Sequence, residues 1–294
     1  MNFDNFHKCR PLKINKNSYK IFLKSSPAHV SQFAKQLLRD VHLSEQRILT
    51  MLPKLAIRSF EAGQAIWRKG RPVLAWSCVM TGYVAAAEPM ARGGSLPLLL
   101  HGSHAWFGEE ALLSGQAGQV DYVCMTPVEL IGMPQSFLED ALHEEPQFRQ
   151  FMFQQLARSV EKHTELQLLL RLGGMPMRVV MGLAQFAVNQ PNSFAAQRTP
   201  YPEDAVEISL SQDQIAAVCG VSRTLLSECL QRLARGGWVK LRYGGMSLQS
   251  AAAWRVFAQK WQLRQSRVGR QSMDELLDEL SRAGVEALSP ATRP

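Results

Sequence analysis

From Pro146 to Leu172 the chain reads PQFRQFMFQQLARSVEKHTELQLLLRL, and Gly173-Gly174-Met175-Pro176 closes the run. At ~3.6 residues per turn this predicts a helix of about seven turns, with Met152, Leu156, Val160 and His163 on one stripe that Leu166 and Leu170 extend. The stripe is wide for a helix docked on one small domain. Its economical use is a parallel coiled-coil seam with a second copy of the chain, and the alternative is burial within one chain. The expected dimer interface is therefore Met152, Leu156, Val160, His163, Leu166 and Leu170.

The hydrophobic period differs on either side of this run. Before it, residues 57–60, 65–68, 75–80, 83–87, 96–100, 120–125 and 128–133 are short β-type stretches punctuated by Gly63, Gly70-Arg71-Pro72 and Gly82. Such spacing predicts a small antiparallel barrel or sandwich. Phe33, Leu37, Leu38 and Val41 have helical spacing, as do residues 43–55, whereas residues 1–29 read as a basic arm. After the long helix, residues 177–189 predict another helix and the proline-containing stretch 190–204 a loop.

Residues 205–250 carry the motif with the most chemistry. A short strand over 206–210 leads to Ser211, whose hydroxyl caps a helix over 212–219 while Gln214 reaches back. Gly220 breaks that helix where a left-handed backbone is needed, and Ser222 caps a second helix over 223–234. Ile215, Ala216, Val218 and Val221 then face inward with Leu226, Leu230 and Leu233. Arg223, Thr224, Ser227, Glu228 and Gln231 lie on the opposite face. Residues 238–242 and 246–249 flank the turn Tyr243-Gly244-Gly245 as a hairpin wing. Capping, glycine turn, polar outer face and basic wing together predict DNA contact through Ser211, Gln212, Ser222, Arg223, Thr224, Ser227, Glu228, Lys240 and Arg242. The competing reading is an internal packing motif.

Charge supports that placement. Residues 206–270 hold 10 Lys/Arg against 3 Asp/Glu, and residues 1–60 hold 11 against 3, whereas residues 61–150 hold 5 against 10. Basic ends flanking an acidic middle suit a polyanionic partner. No apolar run approaches the ~18 residues needed to cross a bilayer, and the N-terminus has no apolar core of a leader, so a cytoplasmic protein without membrane contact is expected. Five scattered cysteines suit reduced thiols, and no CxxC knuckle is present, so neither metal nor cofactor is expected. His101-Gly102-Ser103-His104 and Glu109-Glu110 are the dense polar groups of the middle. Adjacent Glu residues on a strand would face opposite sides, and no triad, P-loop or dinucleotide fingerprint occurs, which argues against an enzyme.

Barrel, long helix and winged helix-turn-helix together resemble the Crp/Fnr family of transcription regulators over roughly residues 46–250. Gly63, Arg68-Lys69-Gly70, Gly82 and Phe107-Gly108-Glu109-Glu110-Ala111-Leu112-Leu113 look like that family's strands and phosphate-binding cassette. Leu210-Ser211-Gln212-Asp213-Gln214-Ile215-Ala216, Gly220-Val221-Ser222-Arg223 and Leu230-Gln231-Arg232-Leu233 look like its DNA-binding signature. The resemblance implies an α+β chain with an antiparallel β-roll or jelly-roll barrel, a dimerisation helix and a winged helix-turn-helix. It also implies a homodimer on a palindromic operator of double-stranded DNA, with RNA polymerase as a further partner.

The parts divide as a basic extension (1–45), a sensor β-roll (46–146), a dimerisation helix (147–172), a linker helix and loop (173–204), a winged unit (205–250) and a helical extension (251–294). The effector pocket is expected around Gly108, Glu109 and Gln119. Where cyclic-nucleotide binders of the family place an Arg and a Ser or Thr on the phosphate, this chain has Gly118, Gln119 and Val120. No Lys or Arg occurs between Gly93 and Phe148, and an uncompensated buried anion is costly, so the effector is unknown and cyclic AMP is not expected to control the protein. An iron-sulfur cluster would need closely spaced N-terminal cysteines, and Cys9 stands alone. On the second helix, Thr224 and Glu228 replace the Glu and Arg of members that read a TGTGA-type half-site, so the operator should differ. The alternative is an interaction protein with a degenerate winged unit and a barrel that docks a partner or an apolar ligand.

Overall fold

The structure, a computed structural model, describes residues 27–91, 94–188, 204–263 and 271–288. It opens with α1 (Pro27–Asp40), α2 (Glu45–Met51) and a 3-10 turn (Leu52–Lys54). The β-roll follows with β1 (Ala56–Phe60), β2 (Ala65–Trp67), β3 (Ala75–Thr81), β4 (Val84–Pro89), β5 (Ser95–His101), β6 (Trp106–Phe107), α3 (Glu109–Ser114), β7 (Asp121–Cys124) and β8 (Val128–Pro134). Two helices, α4 (Gln135–Glu144) and α5 (Pro146–Leu172), lead out of it to α6 (Met175–Val188). The C-terminal unit contains β9 (Val206–Ile208), α7 (Gln212–Cys219), α8 (Arg223–Arg235), β10 (Val239–Arg242), β11 (Gly245–Leu248), α9 (Ala251–Leu263) and α10 (Met273–Ala287).

The roll consists of two antiparallel four-stranded sheets, ordered β1-β8-β3-β6 and β2-β7-β4-β5. Trp76, Val79, Phe107 and Leu130 of the first share one core with Trp67, Val84, Tyr122 and Cys124 of the second. Strands β3, β4 and β8 are buried along most of their length, with Cys78 and Ile131 in a second cluster that α1 covers. Trp76 stacks on Trp106 with ring centroids 3.8 Å apart and meets Phe148 of α5 edge-on at 5.9 Å.

Three elements were not expected from the sequence: β6, α3 and α4. Glu109 and Glu110 stand in the first turn of α3, not on a strand, where carboxylates favour the positive end of the helix dipole. Gly108 before them has φ 94°, a backbone that β-carbon-bearing residues rarely adopt.

The expected extensions are not separate from the domains they flank. Phe33, Ala34 and Leu37 of α1 pack with Cys78 and Ile131, and Leu38 and Val41 join the core of the roll. This half of the basic extension is therefore part of the roll; residues 1–26 lie outside the described residues. Likewise α9 and α10 bury Trp254, Phe257, Met273, Leu276, Leu280 and Ala283 in the core that α6, α7 and α8 share. The helix α10 opens with a Ser272–Glu275 capping box. The expected loop over 190–204 falls almost wholly on residues outside the description.

The C-terminal unit rests on the roll. Tyr83 is part of its core, with Leu100 of β5 and Met125 packed against it, and Gln214 Nε2 donates to the Met125 carbonyl at 3.3 Å. Gly182 lets α6 approach α7: a β-carbon there would sit 2.5 Å from Cys219 Sγ. Among the described residues no helix is long and apolar enough to cross a membrane.

Candidate functional site

The helix pair over residues 211–235 is built by local bonds. Ser211 Oγ accepts from the Gln214 amide at 3.2 Å while Gln214 Oε1 accepts from the Ser211 amide at 2.9 Å. Gly220 turns the chain with φ 63°, and the Val221 amide closes on the Ala216 carbonyl at 3.0 Å. Ser222 Oγ then accepts from the Leu225 amide at 3.3 Å and starts α8. Ile215, Ala216, Cys219, Leu226, Cys229, Leu230 and Leu233 are buried, which fixes the inner faces of both helices. Arg223, Thr224 and Glu228 are exposed and Ser227 is half-buried, so these four side chains occur along the outer side of α8.

The hairpin β10–β11 joins β9 in a three-stranded antiparallel sheet, ordered β10-β11-β9. Tyr243 and Gly244 form its tip, with Tyr243 fully exposed. Lys240 and Arg242 are both exposed. Arg242, expected at a phosphate, forms an ion pair with Glu207 of β9. Arg223 likewise lies 3.6 Å from Asp213 of α7, and Arg232 pairs with Asp274 of α10. Glu207 and Asp274 are distant in sequence from the arginines they meet, so no local pattern marks these pairs.

A cavity of about 420 Å³ lies between β5, α5 and α6, with Glu109 and Trp106 on its wall. Glu109 is buried and accepts from Trp76 Nε1 at 3.1 Å. Burial, with Glu110 adding repulsion, raises its pKa to about 7. His101 also lines the cavity; burial lowers its pKa to about 3, so the imidazole is neutral, and its buried Nε2 has no hydrogen-bond partner among the described residues. Of the expected trio Gly108, Glu109 and Gln119, only Glu109 reaches the cavity. Gln119 is exposed and its Nε2 donates to the Ala117 carbonyl at 3.0 Å. The loop before β7 is tied to the turn between β2 and β3 by Gly118, whose amide donates to the Arg71 carbonyl at 3.0 Å and whose carbonyl accepts from the Gly70 amide at 2.8 Å.

The electrostatic expectation is corrected here. The roll supplies no cation to the cavity, but α5 and α6 do, as Arg158, Lys162 and Arg178 line it. The Arg178 side chain also donates to the carbonyls of Leu170 and Gly173 at the end of α5. All three lie outside residues 94–147, and α5 and α6 bring them to the cavity from a later part of the chain.

The face of α5 turned from the chain differs from the expected stripe. Met152 is 1% exposed and belongs to the core of the roll, so a partner helix cannot reach it. Leu166 and Leu170 line the cavity instead. Val160 is 66% exposed, and Phe153, one residue beyond Met152 and seven before Val160, is 62% exposed. Leu156, half-buried, and His163, exposed, flank that pair. Phe153 was legible only through its seven-residue spacing to Val160.

Comparison with known proteins agrees with this architecture. Residues 57–145 match the family model of the cyclic nucleotide-binding domain. The global nitrogen regulator of Synechococcus elongatus is 26% identical over 200 residues, which cover 64% of this chain and 86% of the relative. The chain is a homologue of the Crp/Fnr-family regulators. Two solved structures show the same fold. FixK2 from Bradyrhizobium japonicum superposes with a TM-score of 0.57 at 16% identity, covering 74% of this chain and 98% of that one. A CRP/FNR-family transcriptional regulator from Thermus thermophilus gives 0.51 at 23% identity, covering 69% and 98%.

Glu109 holds its proton to about pH 7 in the folded state but loses it near 4.5 when unfolded, so stability is full below 4.5 and falls as pH rises toward 7. Denaturant titration of Glu109→Gln against the parent should show the variant gaining on the order of 2–3 kcal/mol relative to the parent across that window. A pH-independent difference would place the Glu109 carboxylate in water.

Proposed function

We propose that this chain is a homodimeric, sequence-specific DNA-binding transcription regulator of Crp/Fnr type. The observation that carries this is the capped α7–Gly220–α8 pair, which turns Arg223, Thr224 and Glu228 outward beside the exposed Lys240 of the wing. In this arrangement α8 enters the major groove, Arg223 makes a bidentate contact with guanine, and Lys240 meets a phosphate. The Ser211 and Ser222 helix starts and Gln212 offer amides and polar groups to neighbouring phosphates. The two copies meet along α5, with Phe153 and Val160 at the seam. The alternative reading, an interaction protein with a degenerate winged unit, leaves the outward arginine without a role.

The cavity between β5 and α5 is the effector site of this reading, and cyclic AMP does not control it. The loop around Gly118 and Gln119, where a nucleotide binder would hold the phosphate, lies outside this cavity and offers neither a cation nor a hydroxyl, and the cavity's own cations, Arg158, Lys162 and Arg178, come from α5 and α6. In the test, the protein selects duplexes from a randomised library, with and without cyclic AMP or cyclic GMP. An inverted repeat with half-site centres ~34 Å apart is expected, unchanged by either nucleotide. No enrichment would overturn DNA recognition. An enrichment that needs a nucleotide, and is lost in Lys162→Ala, would show that α5 completes a phosphate site.

A further inference from the structure

Three arginines of the C-terminal unit, two of them assigned to DNA, each meet a carboxylate of the same chain. Arg223 at the start of α8 lies 3.6 Å from Asp213 of α7, both side chains being about two-thirds exposed. Arg232, one turn beyond Glu228 on α8, pairs with Asp274 in the first turn of α10. Arg242 of the wing pairs with Glu207 of β9. Three different elements supply the carboxylates. Between residues 206 and 270 only three acidic residues occur, Glu207, Asp213 and Glu228. Two of them are spent on these arginines and the third stands on the outer side of α8. Lys240 has no carboxylate partner among the described residues.

A surface shaped only to attract a polyanion gains nothing from such carboxylates, because each one repels the phosphate that its arginine would bind. The edge of guanine is different. Its acceptors are neutral, and a guanidinium has five donors, so Arg223 can keep Asp213 on one edge while it binds guanine with the other. Each pair therefore penalises phosphate contact more than base contact.

We propose that Glu207, Asp213 and Asp274 are specificity-determining residues, which hold Arg242, Arg223 and Arg232 away from indiscriminate phosphate binding. The inference rests on the DNA-binding reading above. Asp213 acts on the base-reading arginine itself, and Glu207 and Asp274 lower the number of phosphates that any duplex can engage.

The experiment measures fluorescence anisotropy of two labelled duplexes over a series of KCl concentrations: a random-sequence 30-base-pair duplex, and the operator enriched from the library. The parent is compared with Glu207→Gln, Asp213→Asn, Asp274→Asn and the triple variant. The triple variant should bind the random duplex about tenfold tighter or more at low salt, with a plot of log K against log salt steeper by about two to three. Operator affinity should rise less, so the ratio of operator to random binding falls. Asp213→Asn alone alters an exposed pair, and its reduced ratio keeps the test standing if Glu207→Gln fails to fold. Unchanged salt slopes and an unchanged ratio, in a parent that binds the operator, overturn the inference. A parent that binds neither duplex overturns the DNA-binding reading, and this inference with it.

Discussion

Arg223→Ala should weaken binding to the selected operator by about 1–3 kcal/mol, roughly 5- to 150-fold, and relax base preference at one position in each half-site. Arg223 is the first residue of α8, directly after the Ser222 cap, and the burial of Leu226, Leu230 and Leu233 leaves it no inward course. A side chain so placed enters the groove at the end of the helix that leads. Lys240→Ala provides the contrast. It removes a charge from the wing, where backbone phosphates pass, so it should weaken operator and random duplexes alike and lower the salt slope by about one. Competition binding against a panel of single-base operator variants distinguishes the two. Equal losses across the panel for both variants would mean that α8 reads no base.

How far the sequence alone reaches is visible in particular elements. The long helix was legible to the residue, Pro146–Leu172, because proline at its start and glycines at its end are local signals. Seven β-type stretches found their strands for the same reason, with turn glycines marking the boundaries. The unit over 211–248 was equally plain, since its capping box, glycine turn and hairpin are all decided within a few residues. What failed to show was everything settled between distant segments. Two-residue β6 has no period, and α3 is too short to display one. Met152 and Phe153 are neighbours whose burial is opposite; only the position of the roll against α5 decides between them. Likewise, Lys162 and Arg158 reach the cavity only because α5 crosses β5. The expectation of a cavity without cations thus failed through tertiary placement, although the charge count behind it was correct.

Replacing both Phe153 and Val160 with Lys should convert a dimer into monomers whose operator affinity is at least a hundredfold weaker. Both side chains are more than half exposed in one chain and lie seven residues apart, two turns along the same face of α5. Pairing with a second α5 would bury them against their own symmetry mates. Each buried apolar side chain of this size contributes about 1.5–3 kcal/mol, and two per chain occur twice in a dimer. Lysine at these positions replaces that gain with like charges facing across the seam. DNA affinity follows because two linked units bind the second half-site at an effective concentration near millimolar, which a monomer loses. Met152→Lys is the informative comparison: it puts a charge into the core of the roll and should unfold the sensor instead of splitting the dimer. Sedimentation velocity with circular dichroism separates these outcomes. A folded Phe153→Lys/Val160→Lys protein that still sediments as a dimer would move the seam off this face of α5, and with it the expected spacing of the two copies of α8 on DNA.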